Sequence, residues 1–264
     1  MDKYWLWFSR INSIGAKKQN ELLEKYKTPK TIWNLHTKEL EQILTKQQID
    51  IVLNKRYRDN LNKYIEYMQK NNIKLITKEN EKYPQNLLNI YDPPVVLYLK
   101  GNENILNEKS IAIIGSRNCS SYGTKVARSF AYNLSKKNIN IISGLARGID
   151  ISAHIGTLQA KGKTIAVMGN GLDTVYPNEN TNILNQIIEK EGAVISEYII
   201  GTRPEKKNFP ARNRIISGIS EGVLIVEAHK KSGALITVDL ALEQGKDIYT
   251  IPGNIDSPSS ERNK

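Results

Sequence analysis

Cysteine is almost missing from this sequence: Cys119 is the only one in 264 residues. That excludes an intrachain disulfide and any cysteine-rich metal site. Histidine is nearly as scarce, and His36, His154 and His229 show no metal-ligand spacing. There is no run of about 18 apolar residues, so no membrane-spanning helix is expected. The opening stretch MDKYWLWFSRIN carries an aromatic cluster but lacks the longer apolar region and small-residue cleavage site of a secretory signal. A P-loop sequence is absent, which argues against a nucleoside triphosphatase of that type, and no complete G-x-G-x-x-G fingerprint occurs. No base-bearing motif flanks Cys119, so it does not read as a nucleophile. These absences together lead us to expect a soluble chain of a reducing, cytoplasmic setting, without membrane attachment.

What is abundant is positive charge. The formal net charge is +11, and at 39% hydrophobic the chain can still bury a core. A charge of that sign favours nucleic acid or an anionic membrane as partner. The excess is shared between the halves, with 18 Lys+Arg against 13 Asp+Glu in residues 1–108 and 20 against 14 in 109–264. Its distribution therefore says more than its sum. Between Arg203 and Arg214 lie five cations (Arg203, Lys206, Lys207, Arg212, Arg214) and one acid, Glu205.

Residues 1–68 read as a small bundle of short helices. In IGAKKQNELLEKY, Ile14, Leu22, Leu23 and Tyr26 recur at helical spacing behind Gly15, and KELEQIL and DNLNKYIEYMQK continue the pattern. INSIGAKKQNELL also has the flavour of a helix-hairpin-helix that grips DNA phosphates, although short bundles produce such runs by chance. Residues 69–264 form the second unit. In its leading segment, 69–108, IKLIT and PVVLYLKG are strand-like. In its core, 109–254, short apolar strands (SIAIIG, INIISG, KTIAVMG, GAVISE, EGVLIVEA, KDIYTIPG) alternate with helical stretches near 122–137, 147–161, 180–190, from about 211, and near 233–244. That alternation predicts an α/β fold: a Rossmann-like, doubly wound, mostly parallel sheet beside the small helical N-terminal unit.

Ligands of such sheets sit beyond the carboxyl ends of the strands, where helix N-termini offer unpaired N–H groups. GSRNCSSYG puts Ser116 and Arg117 at the first such tip. Ser116 and backbone amides can hold a phosphate oxygen while Arg117 forks onto it; the same residues also suit an ordinary tight turn with a solvated arginine. SGLARGID repeats the recipe with Gly144 and Arg147, and Asp150 fits a helix-start carboxylate better than a catalyst. GNGLD reads as a loop. In FPARNRII, Pro210 suits a helix start. Phe209 offers a stacking face and Arg212, Asn213 and Arg214 offer donors, with Lys206 and Lys207 adding field. A basic groove with an aromatic platform suits unpaired nucleic acid. A core phenylalanine among surface arginines is the plainer alternative.

Taken together, IIGSR, SGLARGID, VMGNGLDTVYP, FPARNRIISG, VEAHKKSGALITVDLALEQG and IPGN occur in the order and spacing of the DNA-processing protein A (DprA/Smf) family, and nearly the whole chain resembles it. The N-terminus is similar to the sterile-alpha-motif-like domain that many members carry. The resemblance implies a single-stranded DNA-binding recombination mediator of natural transformation. Such a protein shields strands, helps load the RecA recombinase in the presence of single-strand-binding protein, acts as a homodimer through its Rossmann domain and needs no cofactor. It implies DNA contacts at Arg117, Lys206, Phe209 and Arg212, which we extend to Ser116, Gly144, Arg147, Asn213 and Arg214. Many members continue past the last strand into a further helix and often a winged-helix-like domain; here the sequence reaches SPSSERNK, which puts any contribution of such a domain out of reach, and we expect a less well covered Rossmann edge. Two enzyme readings compete. EAHKKSGALIT loosely resembles the phosphate loop of nucleotide phosphoribohydrolases, without their fuller signature. A dinucleotide dehydrogenase would need the fingerprint that is incomplete here.

Overall fold

The computed structural model describes residues 2–228 and 232–252. Its first part is helical throughout, in seven short pieces: α1 (Lys3–Arg10), α2 (Ala16–Tyr26), α3 (Pro29–Trp33), α4 (Thr37–Leu40), α5 (Lys46–Leu53), α6 (Lys55–Arg58) and α7 (Leu61–Lys70). The breaks have local causes. Gly15 takes φ +86° to open α2, Thr28 caps α3 ahead of Pro29, and Thr45 and Gln48 close a reciprocal capping box on α5.

Eight strands follow in one sheet: β1 (Lys74–Thr77), β2 (Val96–Gly101), β3 (Ser110–Ile114), β4 (Asn140–Ser143), β5 (Thr164–Val167), β6 (Ala193–Ser196), β7 (Gly222–Ile225) and β8 (Asp247–Thr250). Their order is β1-β2-β6-β5-β4-β3-β7-β8. The six from β3 onward are parallel, and β2 and β1 extend the β6 edge antiparallel. Between the strands run α8 (Gln85–Leu88), α9 (Ser121–Ser135), α10 (Ile149–Gln159), α11 (Thr181–Glu189), α12 (Asn208–Ile219) and α13 (Gly233–Glu243). Strands β4 to β7 are buried at every position, which explains why they read as unbroken apolar runs. The doubly wound expectation holds.

The pleat sorts the core. Ile114, Ile142, Val167 and Ile195 face one side, under Leu87 and Ile216 of α8 and α12. Ile113, Ile141 and Leu224 face the other, under Ala127 and Ala153 of α9 and α10. On that second side the N-terminal aromatics Trp5, Trp7 and Phe8 pack into one cluster with Val96, Tyr98, Ala166 and Val194. A Ser9–Tyr98 hydroxyl pair at 2.5 Å joins α1 to β2. The helical segment thus shares its core with the sheet, because its apolar faces are too small to satisfy one another alone.

His154 is fully buried in α10. The Thr164 hydroxyl donates to Ile141 O at 2.6 Å, so it accepts from His154 Nδ1–H at 2.8 Å, leaving Nε2 unpartnered. Burial, then the charge of Arg212, presses its pKa down to about 3. The folded value lies below the unfolded value of ~6.5, so unfolding takes up a proton in acid and stability is lost as pH falls below that value. We expect urea denaturation to show His154 removing about 2 kcal/mol between pH 7.5 and pH 5, a loss that His154→Leu abolishes.

Candidate nucleic-acid interface

The sheet reverses its winding between β3 and β7: from β3 the chain first builds toward β6, then α12 carries it back across to β7. The loops leaving β3 and β7 therefore diverge, and a hollow opens between them at the carboxyl ends of the strands. Its volume is about 650 Å³, and Arg117, Tyr176, Phe209, Arg212, Asn213 and the first residues of α13 line it.

The strand-tip amides are less available than the sequence led us to expect. Ser116 N–H donates to Glu227 O at 2.7 Å, and the Ser116 hydroxyl is engaged with Asn118 O at 3.0 Å and Asn118 N–H at 3.2 Å. The buried Glu227 carboxylate sits at the start of α9, where it accepts from Ser120 N–H and Ser120 Oγ, each at 3.0 Å. Asp150, in the first turn of α10, does the same for Gly144 N–H at 3.2 Å, the role its sequence position suggested. Each helix start carries its own carboxylate, which answers the orphan donors and the positive dipole end. The proposed cradle of free amides at Ser116 and Gly144 is thereby corrected: both N–H groups are engaged within the fold.

Phe209, half-buried, forms part of its wall. Its ring rests on Gly169, where a Cβ would come within 2.9 Å of Cδ1, so a bare Cα at the end of β5 sets the ring's height. Tyr176 lies beside it, ring centroids 5.5 Å apart at 34°, and the Arg117 guanidinium lies 5.4 Å from the Phe209 centroid. A smaller hollow of about 50 Å³ adjoins it, walled by Arg117, Arg147, Tyr176, Phe209 and Arg212. Arg212 is 3% exposed and donates through Nη1 to Val167 O, with its Nε unpartnered. Burial, with the like charge of Arg117 adding and Asp150 opposing, draws its pKa down to about 10, still protonated at neutral pH. The same burial holds the Asp150 carboxyl above the usual range, against the pull of Arg212.

Helix α12 starts at Asn208, earlier than the expected residue 211, so Phe209 already belongs to it and Pro210 falls in its first turn. At about 100° per residue, Arg212 and Arg214 point to opposite sides. Arg212 turns to the hollow. Arg214 turns away and does not join the site: it forms a two-pronged pair with Glu197 at 2.7 and 2.7 Å and reaches Asp92 Oδ2 at 3.0 Å. Lys206 is exposed at the rim of the hollow. Asn213 lines it, with its amide 3.4 Å from Gly233 O. Arg147 lines the small hollow while paired with Glu179 at 2.5 and 2.9 Å. Tyr176 went unnoticed in the sequence; the signal available was an aromatic directly before a proline in VYP, in a loop that follows a strand. His229, Gly253 and the SPSSERNK end lie outside the described residues, and among those described no group of acids, histidines and cysteine could hold a metal ion. No described helix is long and apolar enough to cross a membrane.

Gly144 has a clear steric role. A Cβ there would fall inside van der Waals contact of the Arg212 guanidinium. Gly144→Ala should therefore displace that group while leaving the sheet intact, and weaken binding of oligo-dT several-fold with a shift in Tm of only a few degrees; fluorescence anisotropy and a thermal melt check the two halves.

A doubly wound α/β protein with a cationic, aromatic-floored hollow at its topological switch point, and no metal cluster among its described residues, is the class that this geometry defines. A sequence profile for the DNA recombination-mediator protein A family matches residues 74–264. Protein Smf of Synechocystis is 36% identical over 259 residues, covering 96% of this chain and 65% of that one. The X-ray structure of DNA processing protein A from Streptococcus pneumoniae superposes with TM-score 0.85 at 34% identity, covering 99% of this chain and 90% of the other. DNA processing protein A from Helicobacter pylori, which has a unique single-stranded DNA binding mode, superposes with TM-score 0.63 at 32% identity over 70% of this chain and 83% of that one. The chain belongs to the DNA recombination-mediator protein A family. It spans less than two thirds of the length of the curated relatives it matches.

Proposed function

We propose that the hollow holds unpaired DNA, with one base stacked on Phe209 and neighbouring phosphates on Arg117, Lys206 and the edge of Arg212 that lines the hollow, and that no bond is made or broken there. The observation that carries this reading is the half-buried Phe209 ring, set between Arg117 and Tyr176 in a cavity shared with Arg212. A ring in that position attracts any base by its face, and the guanidinium groups attract any phosphate, so recognition is of strand type rather than sequence. A duplex hides its base faces and loses the stacking contribution. Family membership and the H. pylori relative support the same reading. On it the chain acts as a cytoplasmic homodimer that guards single strands in transformation or recombination and helps load a RecA-type recombinase on them in the presence of single-strand-binding protein.

A second reading has one observation in its favour: the Asp150 carboxyl lines the hollow as an acid would in a nucleotide hydrolase. That carboxyl is already engaged with the Gly144 amide and faces Arg212. The experiment is competition binding. Oligo-dT should bind at least tenfold more tightly than duplex of equal length, and nucleoside monophosphates should release no free base. Equal affinity for duplex would overturn the proposal, and base release would establish the hydrolase.

A further inference from the structure

A second groove, of about 510 Å³, runs between the N-terminal helices and the start of α12. Arg10, Asn12, Tyr57, Tyr64, Tyr198 and Lys207 line it. The two cavities lie close together, since Lys207 and Asn208 on the wall of this one sit in the chain between Lys206 and Phe209, which line the first. Its composition repeats the recipe of the hollow. On its wall the Arg10 guanidinium lies 4.6 Å from the Tyr64 centroid, and Arg56, which is not itself on the wall, flanks it with its guanidinium 4.7 Å from the centroid of Tyr57. Arg10 donates to the carbonyl oxygens of Arg56, Tyr57 and Asp59 at 2.7–2.9 Å, and among the described residues neither Arg10 nor Arg56 has a carboxylate within ion-pair distance. The one acid on the wall, Glu205, is spent on Lys207 at 2.8 Å, and both side chains are more than half exposed. Cations without counter-charge beside half-buried rings leave room for a polyanion that also has flat faces. The hairpin of INSIGAKKQNELL, which the hollow does not use, supplies Asn12 and Ser13 to the same groove.

We infer that this groove is a second section of one single-stranded nucleic-acid track: the strand leaves Phe209, crosses Lys207 and lies along Tyr57, Tyr64 and Arg56. The inference rests on the proposed role of the hollow. The helical segment then contributes binding length, and its shared core with the sheet fixes the two sections relative to each other.

Strand length separates the two sections. Arg56 is exposed, so Arg56→Glu should fold normally, with a thermal melt as the control. Anisotropy is read with oligo-dT of about six and about twenty nucleotides, bracketing the usual site sizes. Arg56→Glu should weaken the long oligonucleotide about fivefold or more, reduce its salt slope by about 0.7, and leave the short one unchanged. Phe209→Ala should weaken both. As an independent measurement, ultraviolet cross-linking of long bromodeoxyuridine-substituted oligonucleotide to the wild-type protein should label the peptide that holds Tyr57 and Tyr64. If Phe209→Ala acts but Arg56→Glu does not discriminate by length and no such peptide is labelled, the inference is overturned and the hollow stands. If Phe209→Ala has no effect on either length, the role of the hollow fails and the track fails with it.

Discussion

Phe209→Ala should lower the affinity for oligo-dT by about 1–3 kcal/mol, roughly 5- to 150-fold, with the fold retained. The magnitude follows from what the ring does in each state. In the free protein it is half-buried and rests on Gly169 and Tyr176, so truncation costs the fold on the order of 1 kcal/mol. In the complex it supplies the one face that the phosphate contacts cannot replace. Alanine leaves Arg117 in place but removes the surface against which its guanidinium lies. Leucine in its place restores apolar volume without a flat face, and should recover the melting temperature but little of the affinity. Anisotropy titrations at fixed salt, paired with thermal melts, separate the two effects. A Phe209→Ala protein that binds like wild type would mean that the strand lies elsewhere.

Arg214→Ala should destabilise the protein by about 3–5 kcal/mol and lower Tm by roughly 6–20 °C. The guanidinium is 8% exposed on its side chain and is held by Glu197, at 15%, and by Asp92. Burial works against its charge, yet the two carboxylates outweigh burial and hold Arg214 more firmly protonated than a free arginine. Removing it leaves two acids facing each other with no cation between them, the costly way to break a buried pair. The same clamp fixes the rotation of α12 about its axis and hence the aim of Arg212 into the hollow. Affinity should therefore fall only in parallel with stability. A variant that melts like wild type but has lost oligonucleotide binding would instead make Arg214 a direct contact, as its place in FPARNRII suggested.

The parallel sheet was legible because its inner strands β4 to β7 are short, largely apolar, buried at every position and separated by helical stretches. The gathering of Arg117, Lys206, Phe209 and Arg212 was legible because strand tips and the start of α12 must meet at one end of such a sheet. What misled was reading FPARNRII as one cluster of donors. Arg212 and Arg214 are both helical whether α12 begins at 211 or at Asn208, and two steps of about 100° send them to opposite sides. The engagement of the strand-tip amides was invisible for another reason. Glu227 lies 107 positions from Ser120, so only tertiary packing brings its carboxylate to the start of α9. Sharing of the core between the helical segment and the sheet likewise depends on pairs such as Ser9 with Tyr98, 89 positions apart.

The central claim is that charge and one aromatic face, gathered at the switch point, capture unpaired DNA. It is tested most directly by the salt dependence of oligo-dT binding in wild type and in Arg117→Ala. Three to five neutralised phosphates give a slope of log K on log salt of about −2 to −3.5, and loss of Arg117 should make it shallower by about 0.7. A slope near zero in the wild type, or one that is unchanged when Arg117 is removed, would contradict it.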